Sequence, residues 1–171
     1  MKFSSPNSAI ENNSQGEYNK RMAKERFKIT PAVYLILMKE NKILLSRRYN
    51  TGFFDNHYSF PAGHLDGEET LKQAMVREAK EETGIVLDAA DLELIHTLNR
   101  KIPRNERVDF FFTAEKWQGE PQIMELDKCD DLAWFELDNL PKNIIPYIKQ
   151  AIDSFLNDIN YSEREGEEII S

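Results

Sequence analysis

This sequence of 171 residues contains one cysteine and three histidines. It has no excess of basic charge and no long apolar run. The single cysteine, Cys129, excludes an internal disulfide and favours a reducing compartment. Thirty acidic residues against 22 basic ones give a formal charge of −8, which argues against a protein that coats nucleic acid through a basic surface. The longest apolar stretch, Ala32–Met38, is far shorter than the ~20 residues of a membrane-spanning helix. We therefore expect a cytoplasmic protein with neither a membrane nor a nucleic-acid polymer as its partner.

The two ends of the chain contain few large apolar side chains. Residues 1–26 are rich in Ser, Asn, Glu and Lys, and residues 160–171 are similarly polar and acidic. Such stretches bury too little apolar surface to offset the entropy lost on ordering. We therefore predict a flexible N-terminal tail, one domain over residues 27–159 and an acidic C-terminal tail.

Between these tails, turn residues separate short apolar segments at intervals typical of strands and helices. A period near 3.6 predicts helices over Leu71–Thr83 and Ile144–Leu156, and Gly84 is a residue type that commonly ends a helix. Stretches rich in β-branched and aromatic residues predict strands over Ile29–Met38, Ile43–Arg47, His57–Phe60, Leu92–Asn99, Val108–Trp117 and Leu132–Glu136. This order predicts an α/β layered domain.

The first predicted helix carries acidic side chains on the face that should meet the core. On a helical wheel, Glu78 and Glu82 fall within roughly 20° of the centre of the apolar face, and Glu81 lies at its edge. The alternative, a solvated face with i,i+4 ion pairs, fits poorly because Glu78 and Glu82 lie away from the lysines of this helix. Inward carboxylates repel one another unless cations compensate them. Arg77 can neutralise one, and oxygen ligands favour Mg²⁺ or Mn²⁺ for the others.

The segment Gly63–Ile85 resembles the sequence motif of the Nudix hydrolase family. That motif reads Gly, five residues, Glu, seven residues, Arg-Glu, an apolar residue, any residue, Glu-Glu, any residue, Gly and an apolar residue. The matching residues are Gly63, Glu69, Arg77, Glu78, Ala79, Glu81, Glu82, Gly84 and Ile85. Ala62 stands where many members have a second glycine. The resemblance implies an α/β/α sandwich with a central mixed sheet.

The resemblance also implies that water attacks the pyrophosphate linkage of a small nucleotide, with Mg²⁺, or alternatively Mn²⁺, as the cofactor. The implied catalytic residues are Glu69, Arg77, Glu81 and Glu82, and the implied metal ligands are Glu78, Glu81, Glu82 and the backbone carbonyl of Gly63. For Glu69, an alternative is a residue stabilised by the helix dipole. Glu81, Glu82 and Glu125 all stay candidates for the general base.

Features outside the motif resemble the MutT-type nucleotide-pool enzymes. The turn Trp117–Pro121 matches their Trp-x-Gly-Glu-Pro turn, and it places Glu125 as a further metal ligand or water activator. Asn143 matches their base-reading asparagine, although asparagine is also favoured at a helix N-cap. The other candidates for substrate contacts are Phe60 for stacking, and Arg47 and Arg107 for phosphate binding.

From these features we predict a Mg²⁺-dependent hydrolase that splits a nucleoside triphosphate, standard or oxidised, into a monophosphate and pyrophosphate. The alternative within the family is a pyrophosphatase of ADP-ribose or another nucleoside-diphosphate-linked compound. An alternative from another class is a nucleotide-sensing module without turnover, but such modules generally lose carboxylates that this chain keeps. Homodimers are common in the family, and the sequence leaves the oligomeric state open.

Overall fold

The computed structural model describes residues 27–102 and 106–166. They form a five-stranded sheet, a four-stranded sheet and two helices, with strands β1 (Thr30–Ile36), β2 (Met38–Lys39), β3 (Lys42–Arg48), β4 (Tyr58–Ser59), β5 (Ala62–His64), β6 (Leu92–Lys101), β7 (Arg107–Ala114), β8 (Cys129–Glu136) and β9 (Tyr161–Glu165), and helices α1 (Leu71–Thr83) and α2 (Pro146–Leu156). None of the helices in these described ranges is long and apolar enough to cross a membrane.

The larger sheet is mixed and has the strand order β5-β1-β7-β6-β9. Strand β1 runs parallel to β7 and antiparallel to β5, and β6 runs antiparallel to β7 and parallel to β9. In the smaller sheet, β3 pairs with β2, β4 and β8, in each case antiparallel. The predicted central mixed sheet of an α/β protein is confirmed.

The side chains of β1 alternate between two cores, one on each face of the larger sheet. Tyr34 and Ile36 pack in a cluster with Ile148 and other residues of α2. Val33 and Leu35 pack on the opposite face in a cluster with residues of α1, among them Met75. Both faces of a parallel or mixed sheet are buried in this way when helices cover them. The predicted sandwich of helix, sheet and helix follows from this alternation.

The structure differs from the sequence prediction at two strands. The three residues of β5 pair with β1, although Gly63 lies within them and Pro61 precedes them. Strand β9 lies in the segment predicted as an acidic tail from residue 160 onward, and it pairs with β6 at the edge of the larger sheet. Its polar side chains are compatible with this position because an edge strand faces solvent on several sides. The predicted tail of residues 1–26 lies outside the described residues.

Candidate active site

Helix α1 has the bounds that the sequence predicts because both of its ends are capped. At the N-cap, the Thr70 hydroxyl accepts a hydrogen bond from the Gln73 N–H (3.3 Å), and the Gln73 side chain accepts one from the Thr70 N–H (2.8 Å). This reciprocal pair is a capping box. At the other end, Gly84 adopts a left-handed conformation with φ of 72°, which favours glycine. The caps thereby set where the acidic residues of α1 lie.

A loop docks on the C-terminal end of α1. The carbonyls of Glu82 and Thr83 accept hydrogen bonds from the N–H groups of Met124 (3.1 Å) and Gln122 (3.0 Å). Terminal helix carbonyls have no partner within the helix, so this contact satisfies two of them. It brings the next residue, Glu125, to the wall of a cavity of about 60 Å³ that Glu82 also lines.

Strand β5 lies directly against the acidic face of α1. A Cβ atom built on Gly63 would overlap the carboxyl group of Glu78, so this position has no room for a side chain as long as Glu78 keeps its place. The N–H of the neighbouring Ala62 donates a hydrogen bond to the carboxylate of Glu82 (2.9 Å). Strand β5, which the sequence did not predict, therefore contacts the side chains of two predicted metal ligands, Glu78 and Glu82. It also contains the backbone of a third, Gly63.

Arg77 connects the acids of the motif. Its guanidinium donates to Glu69 (2.8 and 3.3 Å), to Glu78 (2.7 Å), to Glu81 (3.2 Å) and to the backbone carbonyl of His64 (3.0 Å). The first of these bonds holds the pKa of the Glu69 carboxyl below its usual range. Charge-assisted bonds of this kind constrain the direction of both partners. Arg77 therefore joins the turn before α1, the helix and β5.

Glu82 is the most deeply placed carboxylate of the group. Burial raises its pKa to about 8, against the opposing effect of the Ala62 N–H, and the negative charges of Glu78 and Glu125 add to the rise. Burial also raises the pKa of Glu78, with Arg77 opposing. A cation placed among these carboxylates would favour their charged forms. Burial and mutual repulsion thus disfavour the charged forms of these carboxylates, and a nearby cation would offset both effects.

The donor set fits a hard divalent cation. Glu78 and Glu82 are four residues apart on one helix face, Glu125 lies nearby, and all three provide oxygen atoms of the type that Mg²⁺ and Mn²⁺ prefer. Within the described ranges, no three His, Cys, Asp or Glu side chains stand close enough together to hold an ion as placed. Glu78 accepts a hydrogen bond from Arg77, and Glu82 accepts one from the Ala62 N–H. Binding of an ion therefore requires these two side chains to turn toward one another.

A family model described as NUDIX domain matches residues 28–155, three quarters of the chain and all of this site. The chain belongs to the Nudix hydrolase family. Enzymes of this family act on pyrophosphate bonds in small-molecule nucleotide substrates, and they generally use divalent metals. The predicted family and enzyme class are confirmed.

Relatives of this Nudix hydrolase carry several substrate names. It is 33% identical over 123 residues to an ADP-ribose pyrophosphatase of Methanocaldococcus jannaschii, a match that covers 71% of each chain. It is 34% identical over 94 residues to an 8-oxo-dGTP diphosphatase of Escherichia coli, which covers 55% of this chain and 71% of the relative. A NAD-capped RNA hydrolase, NudC, of Pseudomonas aeruginosa is 31% identical over 139 residues, but the match spans 46% of that longer protein.

Solved structures share the fold of this Nudix hydrolase. The MutT NUDIX hydrolase of Burkholderia pseudomallei superimposes with a TM-score of 0.69 at 25% identity, over 74% of this chain and 98% of the other. Its near-complete coverage shows that the sandwich described above corresponds to nearly the whole of that Nudix fold.

Two other residues predicted for the site of this Nudix hydrolase, Arg47 and Phe60, line the small cavity but also contact other parts of the structure. Arg47 lines the small cavity beside Glu82, but its charge is paired with Asp130 through two hydrogen bonds (2.8 and 3.1 Å). Phe60 touches the same cavity, but it is 2% exposed and packs edge-to-face on Phe111 in the core. We conclude that both residues have structural partners already.

The N-cap interpretation of Asn143 is wrong. Helix α2 begins three residues later at Pro146, with Ile145 as its N-cap, and Pro is favoured in the first helical turn. The Asn143 side chain donates instead to the carbonyl of Asn56, and its own carbonyl accepts from the Tyr58 N–H (2.8 Å). Asn143 thus ties the segment before α2 to the loop that precedes β4.

A second cavity of about 380 Å³ opens on the other side of β5, and Arg107 lies in its wall. The residues lining it are Ala32, Tyr34, Arg48, Phe53, Ser59, Ala62, Gly63, His64, Arg107 and Tyr147. Behind it, the fully buried Arg100 pairs with Asp109 and stacks on the Tyr147 ring, 3.7 Å from its centroid. This cavity was not predicted from the sequence. A signal was present, because the charged residues Arg100 and Asp109 lie at inward-facing positions of β6 and β7.

Proposed function

We propose that this Nudix hydrolase splits a nucleoside triphosphate, standard or oxidised, into a monophosphate and pyrophosphate, with Mg²⁺ as its cofactor. The water oxygen forms a bond to one phosphorus of the α–β linkage, the bond from that phosphorus to the bridging oxygen breaks, and a proton of the water passes to a carboxylate. A bound Mg²⁺ would stabilise the developing negative charge and acidify the water. Glu78, Glu81, Glu82, Glu125 and the Gly63 carbonyl are the groups that we propose to hold it.

The docking of Glu125 beside Glu82 is the observation that carries this proposal. Glu125 follows the Trp117–Pro121 turn, which resembles that of the MutT-type enzymes, and two backbone hydrogen bonds hold its loop on α1. The similarity to an 8-oxo-dGTP diphosphatase supports the same substrate class. In this proposal, Arg77 and Glu69 do not contact substrate; they orient the carboxylates.

A second candidate substrate is ADP-ribose. A relative named ADP-ribose pyrophosphatase is 33% identical to this chain and matches over 71% of its own length, so this candidate has support from similarity. The sequence has Pro103 roughly where some ADP-ribose enzymes carry a proline, although in a shifted register, and this residue lies outside the described ranges. Products separate the two candidates, because ADP-ribose yields AMP and ribose phosphate whereas a triphosphate yields pyrophosphate.

The deciding experiment measures turnover of a nucleotide panel with Mg²⁺ and with EDTA. The panel contains standard and oxidised triphosphates, ADP-ribose, NADH, nucleotide sugars and dinucleoside polyphosphates, and the products are identified. We expect Glu82→Gln to lower turnover by about 100-fold or more, since each 1.4 kcal/mol of lost transition-state stabilisation is about tenfold in rate.

The matched control is Glu93→Gln, which removes the same charge from an exposed position of β6. It should leave turnover unchanged. Near-wild-type activity of Glu82→Gln would contradict the metal site. Nucleotide binding by the wild type with no turnover of any panel member would favour a nucleotide sensor.

A further inference from the structure

The charged side chains that line the cavity of about 380 Å³ beside β5 are basic, whereas the protein as a whole is acidic. The cavity's titratable side chains are Arg48, His64 and Arg107, with Tyr34 and Tyr147 as hydroxyl-bearing aromatic walls, and no carboxylate is among its described lining residues. The chain carries a net charge of −8, so this concentration of basic groups is not a general property of its surface. A volume of about 380 Å³ lies within the range of small-molecule sites.

Arg107 has hydrogen-bonding capacity left over in this cavity. Its Nη2 donates to the Nε2 of His64, while its Nε is buried and has no hydrogen-bond partner among the residues that the structure describes. Arg48 is engaged by contrast, because it donates to the Phe53 carbonyl (2.7 Å) and to the Thr51 hydroxyl (3.0 Å). Among the described residues, the rest of the guanidinium makes no further hydrogen bond, so its terminal N–H groups can donate to an acceptor in the cavity.

The wall behind Arg107 is held in place by buried contacts. Arg100 is 0% exposed, pairs with Asp109 and stacks on the ring of Tyr147, which is itself 2% exposed. The hydroxyls of Tyr34 and Tyr147 lie 3.5 Å apart. A cavity whose walls are fixed by such contacts is preorganised for its ligand, which lowers the entropic cost of binding.

The cavity adjoins the acidic face of α1 through β5. Gly63 lines the cavity and also contacts the carboxyl group of Glu78. The next residue, His64, places its side chain in the cavity and its carbonyl on Arg77 (3.0 Å). A ligand that spans β5 would therefore have one group at the carboxylates and the next group beside Arg107.

We propose that His64 and Arg107 form a subsite for a phosphate group of the substrate other than the two phosphates at the scissile linkage. This inference rests on the proposed function, in which the carboxylates of α1 and their metal hold the linkage that is cleaved. Two kinds of substrate provide such a phosphate: the terminal phosphate of a nucleoside triphosphate, and a phosphate on a sugar of a nucleoside-diphosphate-linked compound. Arginine recognises either through charge-assisted hydrogen bonds.

The test measures binding by calorimetry with Mg²⁺ present, using analogues in which a methylene group replaces the bridging oxygen of the α–β linkage, so that its outcome does not depend on turnover. The analogues form two pairs, those of dGTP with dGDP and of ADP-ribose 2′-phosphate with ADP-ribose, in which the members of a pair differ by one phosphate. We expect wild-type protein to bind the richer member of at least one pair about tenfold more tightly. Arg107→Gln, which keeps most of the side-chain length and removes the charge, should reduce that ratio to about one.

Lys42→Gln is the matched control, because it removes the same charge from the opposite end of β3, six residues before Arg48. It should keep the wild-type ratio. A preference in the dGTP pair identifies the terminal phosphate, and one in the ADP-ribose pair identifies the sugar phosphate. If Arg107→Gln fails to fold by circular dichroism, Arg107→Lys replaces it and should keep a reduced preference.

Two results would overturn the subsite. One is a wild-type protein that binds both members of each pair equally. The other is an Arg107→Gln variant that folds and keeps the full preference. Failure of the proposed function would be seen in a different measurement, as the absence of Mg²⁺-dependent turnover in the nucleotide panel. Neither of the two binding results depends on that turnover.

Discussion

At the scale of single residues, glycine and arginine decide how the acids of α1 are arranged. Gly63 allows β5 to approach Glu78, because any side chain there would overlap the carboxyl group. Arg77 then donates hydrogen bonds to four groups, namely three carboxylates and the His64 carbonyl. The sequence places these residues in one motif, and the structure supplies the physical reason for the glycine.

Gly63→Ala should therefore lower activity much more than stability. The overlapping atoms are the end of the flexible Glu78 side chain, which can turn aside at small cost in stability, but the displaced Glu78 would no longer be positioned for a metal. Denaturant unfolding and turnover with Mg²⁺ measure the two effects. In the double variant Gly63→Ala/Glu78→Ala nothing overlaps, so its stability should equal that of Glu78→Ala alone; a strictly additive loss would contradict the contact.

At the scale of elements, the second helix and the last strand differ in how well the sequence predicts them. Helix α2 begins two residues after the predicted start at Ile144, because Pro146 is better suited to the first turn than Asn143 to the cap. Strand β9 has a polar sequence, and it forms because β6 offers an unpaired edge. Neither local periodicity nor composition encodes that pairing, so sequence reasoning could not find it.

Removal of residues 161–171 should destabilise the protein and expose the edge of β6. The backbone pairing of five positions is lost, at about 0.5–1.5 kcal/mol for each hydrogen bond, and an uncovered edge strand promotes association of chains. Thermal unfolding and light scattering measure these effects. A truncation after Gly166, which retains β9, should behave like the full chain. Equal stability of the two truncations would show that β9 contributes little.

At the scale of the whole molecule, His96 joins the larger sheet to β9 and α2. Its Nδ1 donates to the Ile159 carbonyl (2.7 Å), and its Nε2 accepts from the Ser162 hydroxyl (3.1 Å), which in turn accepts from Gln150 of α2 (3.0 Å). These partners fit a neutral imidazole with its hydrogen on Nδ1. Burial lowers the pKa of His96 below its usual value of 6.5.

The contribution of His96 to stability should consequently fall as the pH drops below 6.5. In that range the unfolded chain protonates this imidazole more readily than the folded protein does, so its share of the free energy of unfolding decreases with decreasing pH, whereas the raised pKa of Glu82 acts in the opposite direction. Chemical denaturation at pH 7.5, 6.5 and 5.5 measures the trend. His96→Gln should be less stable than the wild type at pH 7.5, and this difference should shrink at pH 5.5. His64, whose pKa burial also lowers, and Glu82, whose pKa burial raises, contribute slopes of opposite sign that both proteins share; a constant difference would exclude His96 as a source.

The sequence by itself determined the family, the bounds of helix α1 with Gly84 at its C-terminal end, and the residues that we propose for the carboxylate site, because these depend on short-range periodicity and on residue types within 23 positions. Only the tertiary structure decided which groups those residues meet. It joined Glu125 to Glu82 across 43 positions, brought β5 against Glu78, and enclosed Arg107 and His64 in one cavity. Such contacts arise from strand pairing and loop docking between distant segments, and no local pattern in the chain specifies them.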